Sequence, residues 1–242
     1  MKRTWTGLMF VSTFGLSNAV LAQQAPDELR VTLGVKAWVN TWETWLTPAR
    51  GGGTGLIASR GGTEVAAIPN LSVNYGDFYG AVGYSTKTKY TFPTYTDVGA
   101  GGTTFTYVTS AKREEADVNL GYWILKGQSG GRLGVSIGYK QVNQVYGGSS
   151  FINRNKGWTV GLTGSAPLDS GWNIYANGAY GPMKLDSNSG YYVSTEIGLA
   201  YPLAERTTLS AGYKVQIIDL NVNGQRGRDS TNGIIAGLNY TF

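Results

Sequence analysis

From Leu29 to Asn40 the chain alternates without a break. Leu29, Val31, Leu33, Val35, Ala37 and Val39 fall on one face, and Arg30, Thr32, Gly34, Lys36, Trp38 and Asn40 fall on the other. A period of two belongs to a strand with one apolar face. The pattern then recurs. Ala116, Val118, Leu120, Tyr122 and Ile124 stand against Glu115, Asp117, Asn119 and Gly121. Leu133, Val135, Ile137 and Tyr139 stand against Gly134, Ser136, Gly138 and Lys140. Trp158, Val160 and Leu162 oppose Thr159, Gly161, Thr163 and Ser165. Val193, Thr195, Ile197 and Leu199 oppose Ser194, Glu196 and Gly198, and Leu209, Ala211, Tyr213, Val215 and Ile217 oppose Ser210, Gly212, Lys214 and Gln216. In residues 29–40 the charges fall only on the second face, the arrangement of a strand with lipid outside and a polar lumen inside.

These segments predict about ten strands, with eight and twelve as the neighbouring even counts. They cover residues 29–44, 64–75, 78–90, 114–125, 132–146, 156–168, 172–183, 191–201, 207–221 and 233–242. Pro69 cannot donate to a ladder and suggests a bulge in the second strand. Short turns are expected at Gly76–Asp77, Lys126–Gly131, Asp169–Gly171 and Pro202–Arg206. Longer loops are expected at 45–62, 91–113, 147–155, 186–190 and 223–230, with Thr103 to Thr109 a candidate strand extension. Aromatic residues gather at both ends. Tyr75, Phe78, Tyr122, Trp172, Tyr201, Tyr240 and Phe242 sit near the short turns. Trp42, Trp45, Tyr90, Tyr146, Trp158, Tyr180 and Tyr191 sit near the longer loops. Two such belts suit the two headgroup levels of a bilayer.

The last segment, Gly233 to Phe242, alternates Ile234, Ala236, Leu238, Tyr240 and Phe242 with smaller or polar residues. A closing strand of this kind with a terminal Phe resembles the C-terminal signature of Gram-negative outer-membrane β-barrel proteins. That resemblance covers nearly the whole of residues 23–242 in architecture and points to no subfamily. It implies an all-β, antiparallel, up-and-down transmembrane barrel in the cell outer membrane. It also implies that Leu238, Tyr240 and Phe242 carry the signal read by the barrel-assembly machinery. An exposed edge strand is a liability, and pairing the last strand with the first removes it.

The N-terminus fits export. Lys2 and Arg3 precede an uncharged, mostly apolar or small stretch, and Val20-Leu21-Ala22 offers a small-residue cleavage site. Residues 1–22 are therefore expected to be a signal peptide and residues 23–242 a single barrel domain. Later in the chain nothing approaches the roughly 18 apolar residues of a membrane helix, which leaves a closed barrel as the way across a bilayer. Removing residues 1–22 leaves 18 basic against 15 acidic residues, too mild a balance for nucleic acid.

The residue inventory excludes much chemistry. The chain has 36 glycines and 16 tyrosines, but no cysteine and no histidine. Histidine triads, thiol nucleophiles and His- or Cys-ligated metals are thus ruled out. Outer-membrane barrel proteases, lipid A deacylases and phospholipases resemble the expected fold, but those families employ a catalytic histidine that this chain lacks. Gly51-Gly52-Gly53-Thr54-Gly55 has no Gly-Lys-Ser/Thr after it and reads as a loop. The sequons at Asn70 and Asn239 lie in predicted strands and carry no expectation. Glu115 and Asp117 share a face, yet balanced lumen charges explain them better than an acid–base pair. Arg30, Lys36, Lys87, Lys140 and Lys214 fall on the inward face with Glu115, Asp117 and Glu196. In a narrow barrel such charges need partners across the lumen.

No catalytic site, metal or cofactor is expected. The leading reading is a narrow channel or lateral route for small solutes; the alternative is a non-catalytic structural or surface-binding barrel that contacts lipopolysaccharide or a partner through its extracellular loops. Near the outer rim stand Arg50, Arg60, Lys112, Arg113, Arg154, Lys156, Arg226 and Arg228. Of these, Arg113, Arg154, Lys156 and Arg228 are the candidates to face lipopolysaccharide, the expected partner with outer-membrane lipid.

Overall fold

The computed structural model describes residues 28–46, 57–92, 96–98, 104–106, 110–127, 129–147, 152–185, 188–222 and 225–242. The expected signal peptide and Arg50 lie outside the described residues. Ten strands form the barrel: β1 (Arg30–Leu46), β2 (Ile57–Tyr75), β3 (Phe78–Thr91), β6 (Ser110–Lys126), β7 (Arg132–Tyr146), β8 (Asn153–Pro167), β9 (Asn173–Leu185), β10 (Asn188–Ala204), β11 (Thr207–Val222) and β12 (Gln225–Thr241). A separate two-stranded hairpin, β4 (Thr96–Val98) and β5 (Thr104–Thr106), lies between β3 and β6. Neighbours along the chain pair antiparallel, and β1 pairs with β12 from Thr32↔Thr241 to Leu46↔Gly227. That pairing closes the ring. Every strand then has a ladder on both sides, which a bilayer demands because it offers backbone groups no water.

The alternation read from the sequence decides which face is which. Leu33, Val35, Val39, Val118, Leu120, Ile137, Val160, Ile197 and Ile234 are exposed on the outside. Thr32, Lys36, Trp38 and Asn40, their alternates on β1, are buried inside. The belt at the short-turn end is outward and its rings are in contact: Phe78 edge-on to Tyr122 at 5.1 Å, Trp172 tilted against Tyr201 at 4.9 Å and Tyr240 edge-on to Phe242 at 5.0 Å. At the long-loop end the belt is thinner than expected. Trp158, Tyr180 and Tyr191 face outward, but Trp42 and Tyr90 are buried in the barrel, with Tyr146 packed against them. Carrying the β1 alternation two residues past Asn40 places Trp42 inward.

Strands overrun the expected loops at this end. β2 begins at Ile57, β6 at Ser110 and β12 at Gln225, and only residues 186–187 separate β9 from β10. Ladder pairing needs no apolar face, so it continues above the lipid where the hydrophobic signal ends. Bulges interrupt the register at Thr41/Glu43 and at Ser85/Thr88. Pro69 itself keeps register with Val35 on β1. Its effect is on the other side, where the β2–β3 ladder stops after Asn70↔Gly83. Proline lacks the N–H that the ladder would need next. Two residues on, the Ala67 amide donates to Thr86 Oγ1 instead, at 3.2 Å.

The bulge on β3 corrects one expected lumen residue. Before it, Gly83 and Ser85 face inward; after it, Thr88 and Tyr90 do, and Lys87 is exposed on the outside. One extra residue moves every later side chain to the other face. Lys87→Leu is therefore expected to leave stability in lipid within about 0.5 kcal/mol. Val118→Arg, outward at mid-strand, is expected to cost about 2–4 kcal/mol. Urea titration of both variants in lipid vesicles checks the register. A loss of several kcal/mol for Lys87→Leu would put that lysine back in the lumen.

Candidate functional site

The barrel interior is where the sequence concentrates its charge. Alternation on β6 delivers Arg113, Glu115 and Asp117 to the lumen, β7 delivers Lys140, β10 Glu196, β11 Lys214 and β1 Lys36. Each is a long or charged side chain on the polar face of its strand, and each is buried.

Glu115 is the hub. Its Oε1 accepts from Arg113 Nε at 2.8 Å, and its Oε2 accepts from Lys140 Nζ at 2.7 Å. Oε2 also accepts from Gln216 Nε2 at 3.0 Å. Lys140 lies 3.7 Å from Asp117 as well. Gln216 stands on β11, five strands from β6 in a ring of ten, so this bond joins opposite walls. The same amide nitrogen contacts Tyr192 Oη at 3.1 Å. A second bridge runs nearer the long-loop end. Gln144 Nε2 on β7 donates to Asp229 Oδ2 on β12 at 2.7 Å, again five strands apart. Asn155 donates to the Gln144 side chain at 3.1 Å.

A third cluster binds β1 to β10. Lys36 Nζ donates to Glu196 Oε1 at 2.8 Å, and Tyr175 Oη donates to the same oxygen at 3.1 Å. Tyr175 reaches it by lying over Gly198 and Gly212, a cross-strand pair where an added Cβ would meet its hydroxyl at 2.6 and 2.9 Å. Here the glycine content has a mechanical use, since a small pair makes room for a ring. Lys214 Nζ stands 4.2 Å over the Trp38 ring, within cation–π range.

Aromatic side chains fill both ends. Toward the long loops, Trp42 meets Tyr90 at 5.3 Å and Phe92 at 5.4 Å, with the Arg113 guanidinium 5.4 Å above it. Toward the short turns, Tyr79 meets Trp123 at 4.8 Å. At the turn itself Asp77 pairs with Lys126, and that hydrogen bond holds the Asp77 carboxyl below its usual range.

Of the expected lumen charges, Lys36, Glu115, Asp117, Lys140, Glu196 and Lys214 meet in this interior. Arg30 lies at the short-turn mouth, bonded to Glu28 at 2.8 Å, and Lys87 is outside. One expected lipid-facing cation is also corrected. Arg113 is 4% exposed and points into the barrel, because the β6 alternation extends back from Glu115. Arg228 is outward, and its Nε donates to Asp219 Oδ2 at 3.0 Å, an acid it shares with Arg226. Arg154 and Lys156 are exposed and outward as expected. The sequence reading missed Gln144, Asp229 and Tyr192 as lumen bridges. Parity was the signal available: within the predicted strands for Gln144 and Tyr192, and on a strand longer than expected for Asp229.

Breaking the hub is expected to be costly. Glu115→Gln leaves two buried cations short of an acceptor and should lower unfolding free energy by about 3–5 kcal/mol. Asp77→Asn, at the exposed turn pair, should leave the urea midpoint nearly unchanged. Equal responses would contradict a buried, coupled cluster.

No family model matches the chain, and no curated protein matches it. Solved structures do. The outer-membrane protease OmpT from Escherichia coli superposes with a TM-score of 0.57 at 14% identity, covering 93% of this chain and 100% of that one. The outer membrane protein OprG from Pseudomonas aeruginosa gives 0.41 at 9% identity, covering 89% and 96%. Neisserial surface protein A gives 0.36 at 14% identity, covering 87% and 97%. Of these three, the OmpT likeness carries weight, and at that identity it speaks for the fold. The closed ring of ten antiparallel strands, the outward apolar band and this likeness agree: the chain has the fold of the Gram-negative outer-membrane β-barrels.

Proposed function

We propose that this outer-membrane barrel is a closed, non-catalytic structural or surface-binding protein whose working surface is its exterior and loop end. The observation that carries this reading is the bridged lumen. Glu115–Gln216 and Gln144–Asp229 each join opposite walls by direct hydrogen bonds. Around the Glu115–Gln216 bridge, Lys214 is 0%, Tyr192 1% and Glu196 1% exposed. A continuous aqueous channel would leave inward side chains accessible to water, and at this level they are not. Interiors of eight-stranded barrels are just filled by side chains. Here ten strands are filled by Lys, Arg, Trp and Tyr.

Catalysis finds little support. The chain shares its fold outline with the protease OmpT, but that protein's activity transfers nothing to a chain without histidine or cysteine. The buried acids are engaged with cations, and among the described residues no group of three Asp or Glu is placed to hold a metal ion. With the long loops on the cell exterior, as in barrels of this kind, the short turns face the periplasm.

The competing reading is a narrow passage for small solutes. It is favoured by the file of charged and amide side chains from Asp229 through Glu115 to Glu196, which would line any route that opened. Planar-bilayer recording separates the two. The closed reading expects no steady conductance at low or moderate voltage. Stable, ohmic single-channel steps from the unmodified protein would replace it with the channel reading.

A further inference from the structure

The outward face of the long-loop rim is asymmetric in charge. On the side of β10, β11 and β12, Asp219 accepts from both Arg226, at 2.8 Å, and Arg228, at 3.0 Å, and the Tyr191 hydroxyl joins them at 3.1 Å. On the side of β1 and β2, Arg60 pairs with Glu43 at 3.3 Å. Along the arc from β3 to β9 that compensation is missing. Lys87, Lys89, Lys112, Arg154, Lys156 and Lys184 are all exposed there, and among the described residues none enters an ion pair. Glu114, an acid in that arc, is engaged by neutral donors, Tyr84 Oη at 3.1 Å and Asn143 Nδ2 at 3.0 Å.

The register makes this more than a scatter of lysines. Lys89 lies directly opposite Lys112 across β3 and β6, and Lys156 directly opposite Lys184 across β8 and β9. Directly opposed residues on one face have Cβ atoms about 4.5–5.5 Å apart, and like charges there are destabilising. Two such pairs in one arc are a cost the barrel bears without return, unless an anion sits between the ammonium groups. Depth identifies the anion. Reading down the outward face of β8, Arg154 and Lys156 come first, then Trp158, then Val160. On β9, Lys184 stands above Tyr180 in the same way. Cations immediately above an aromatic belt lie at the headgroup level.

We infer that the outward rim arc from β3 to β9 docks phosphorylated lipid headgroups of the outer leaflet, with Lys89/Lys112 and Lys156/Lys184 as two phosphate clamps. A phosphate between paired lysines turns repulsion into charge-assisted hydrogen bonds. The inference rests on the proposal that the long loops face outward. It restricts phosphate docking to one side of the barrel and assigns no such role to Arg113 or Arg228.

The test uses the full-length protein in zwitterionic micelles, with the double variants Lys156→Gln/Lys184→Gln and Lys89→Gln/Lys112→Gln. Binding is followed by native mass spectrometry with three probes: a bisphosphorylated glycolipid, the same glycolipid without phosphates, and inorganic phosphate. The unmodified protein should bind the phosphorylated glycolipid selectively, and each double variant should bind it about 30-fold more weakly. Without that lipid, both variants should have urea midpoints equal to or above the unmodified protein, because a repulsion has been removed. Unchanged affinity in the variants, or a lowered midpoint in both, overturns the clamps. Equal binding of inorganic phosphate overturns the lipid assignment. None of these outcomes bears on whether the lumen conducts, so this inference and the closed-barrel reading fail separately.

Discussion

The carboxylate of Glu115 holds the interior together. It receives Arg113 from its own strand, Lys140 from the neighbouring strand and Gln216 from the opposite wall. A barrel wall gains backbone satisfaction by closing, but closure alone leaves an interior to be filled. Here the filling is polar, and each buried charge is tolerable because another lies within hydrogen-bond reach. The Lys36–Glu196 pair and the Gln144–Asp229 bridge repeat the same solution at other levels. The interior therefore acts as a specific polar core, fixing which strands face each other across the ring.

That core explains features that look unrelated in the sequence. Glycine pairs such as Gly198 and Gly212 create space for Tyr175, which then reaches Glu196. Trp42 leaves the lipid belt because the space above the ion cluster needs a large apolar cap, shared with Tyr90 and Phe92. The outer wall follows a different rule, set by depth in the bilayer: aliphatic at the middle, aromatic at the headgroups, cationic above them.

Much of this was legible in the sequence wherever lipid imposes strict alternation. The faces of β1, β6, β7, β10 and β11, the closing strand and six of the eight expected lumen charges followed from a period of two. What was not legible lies above the lipid or beside an irregularity. There the strands continue without apolar residues to mark them, so Arg113 and Asp229 passed for rim or loop residues. The Ser85/Thr88 bulge inverted Lys87 with no marker comparable to the proline at 69, whose own effect was to stop a ladder instead of shifting it. Cross-lumen partners depend on strand order and shear, which no single strand encodes.

The account depends most on the lumen being closed to water at its middle. The chain has no cysteine, so one introduced thiol is a clean reporter. Ser194 on β10 is 2% exposed beside Glu196 and Tyr192, and serine to cysteine is a small change. Ser170, exposed in the turn between β8 and β9, serves as the accessible control. With the protein in lipid vesicles, a small cationic methanethiosulfonate reagent should modify Ser170→Cys rapidly from the side its turn faces. It should modify Ser194→Cys orders of magnitude more slowly from either side. Comparable rates at the two positions would show water and small cations reaching the centre of the barrel, and would contradict the closed, bridged lumen.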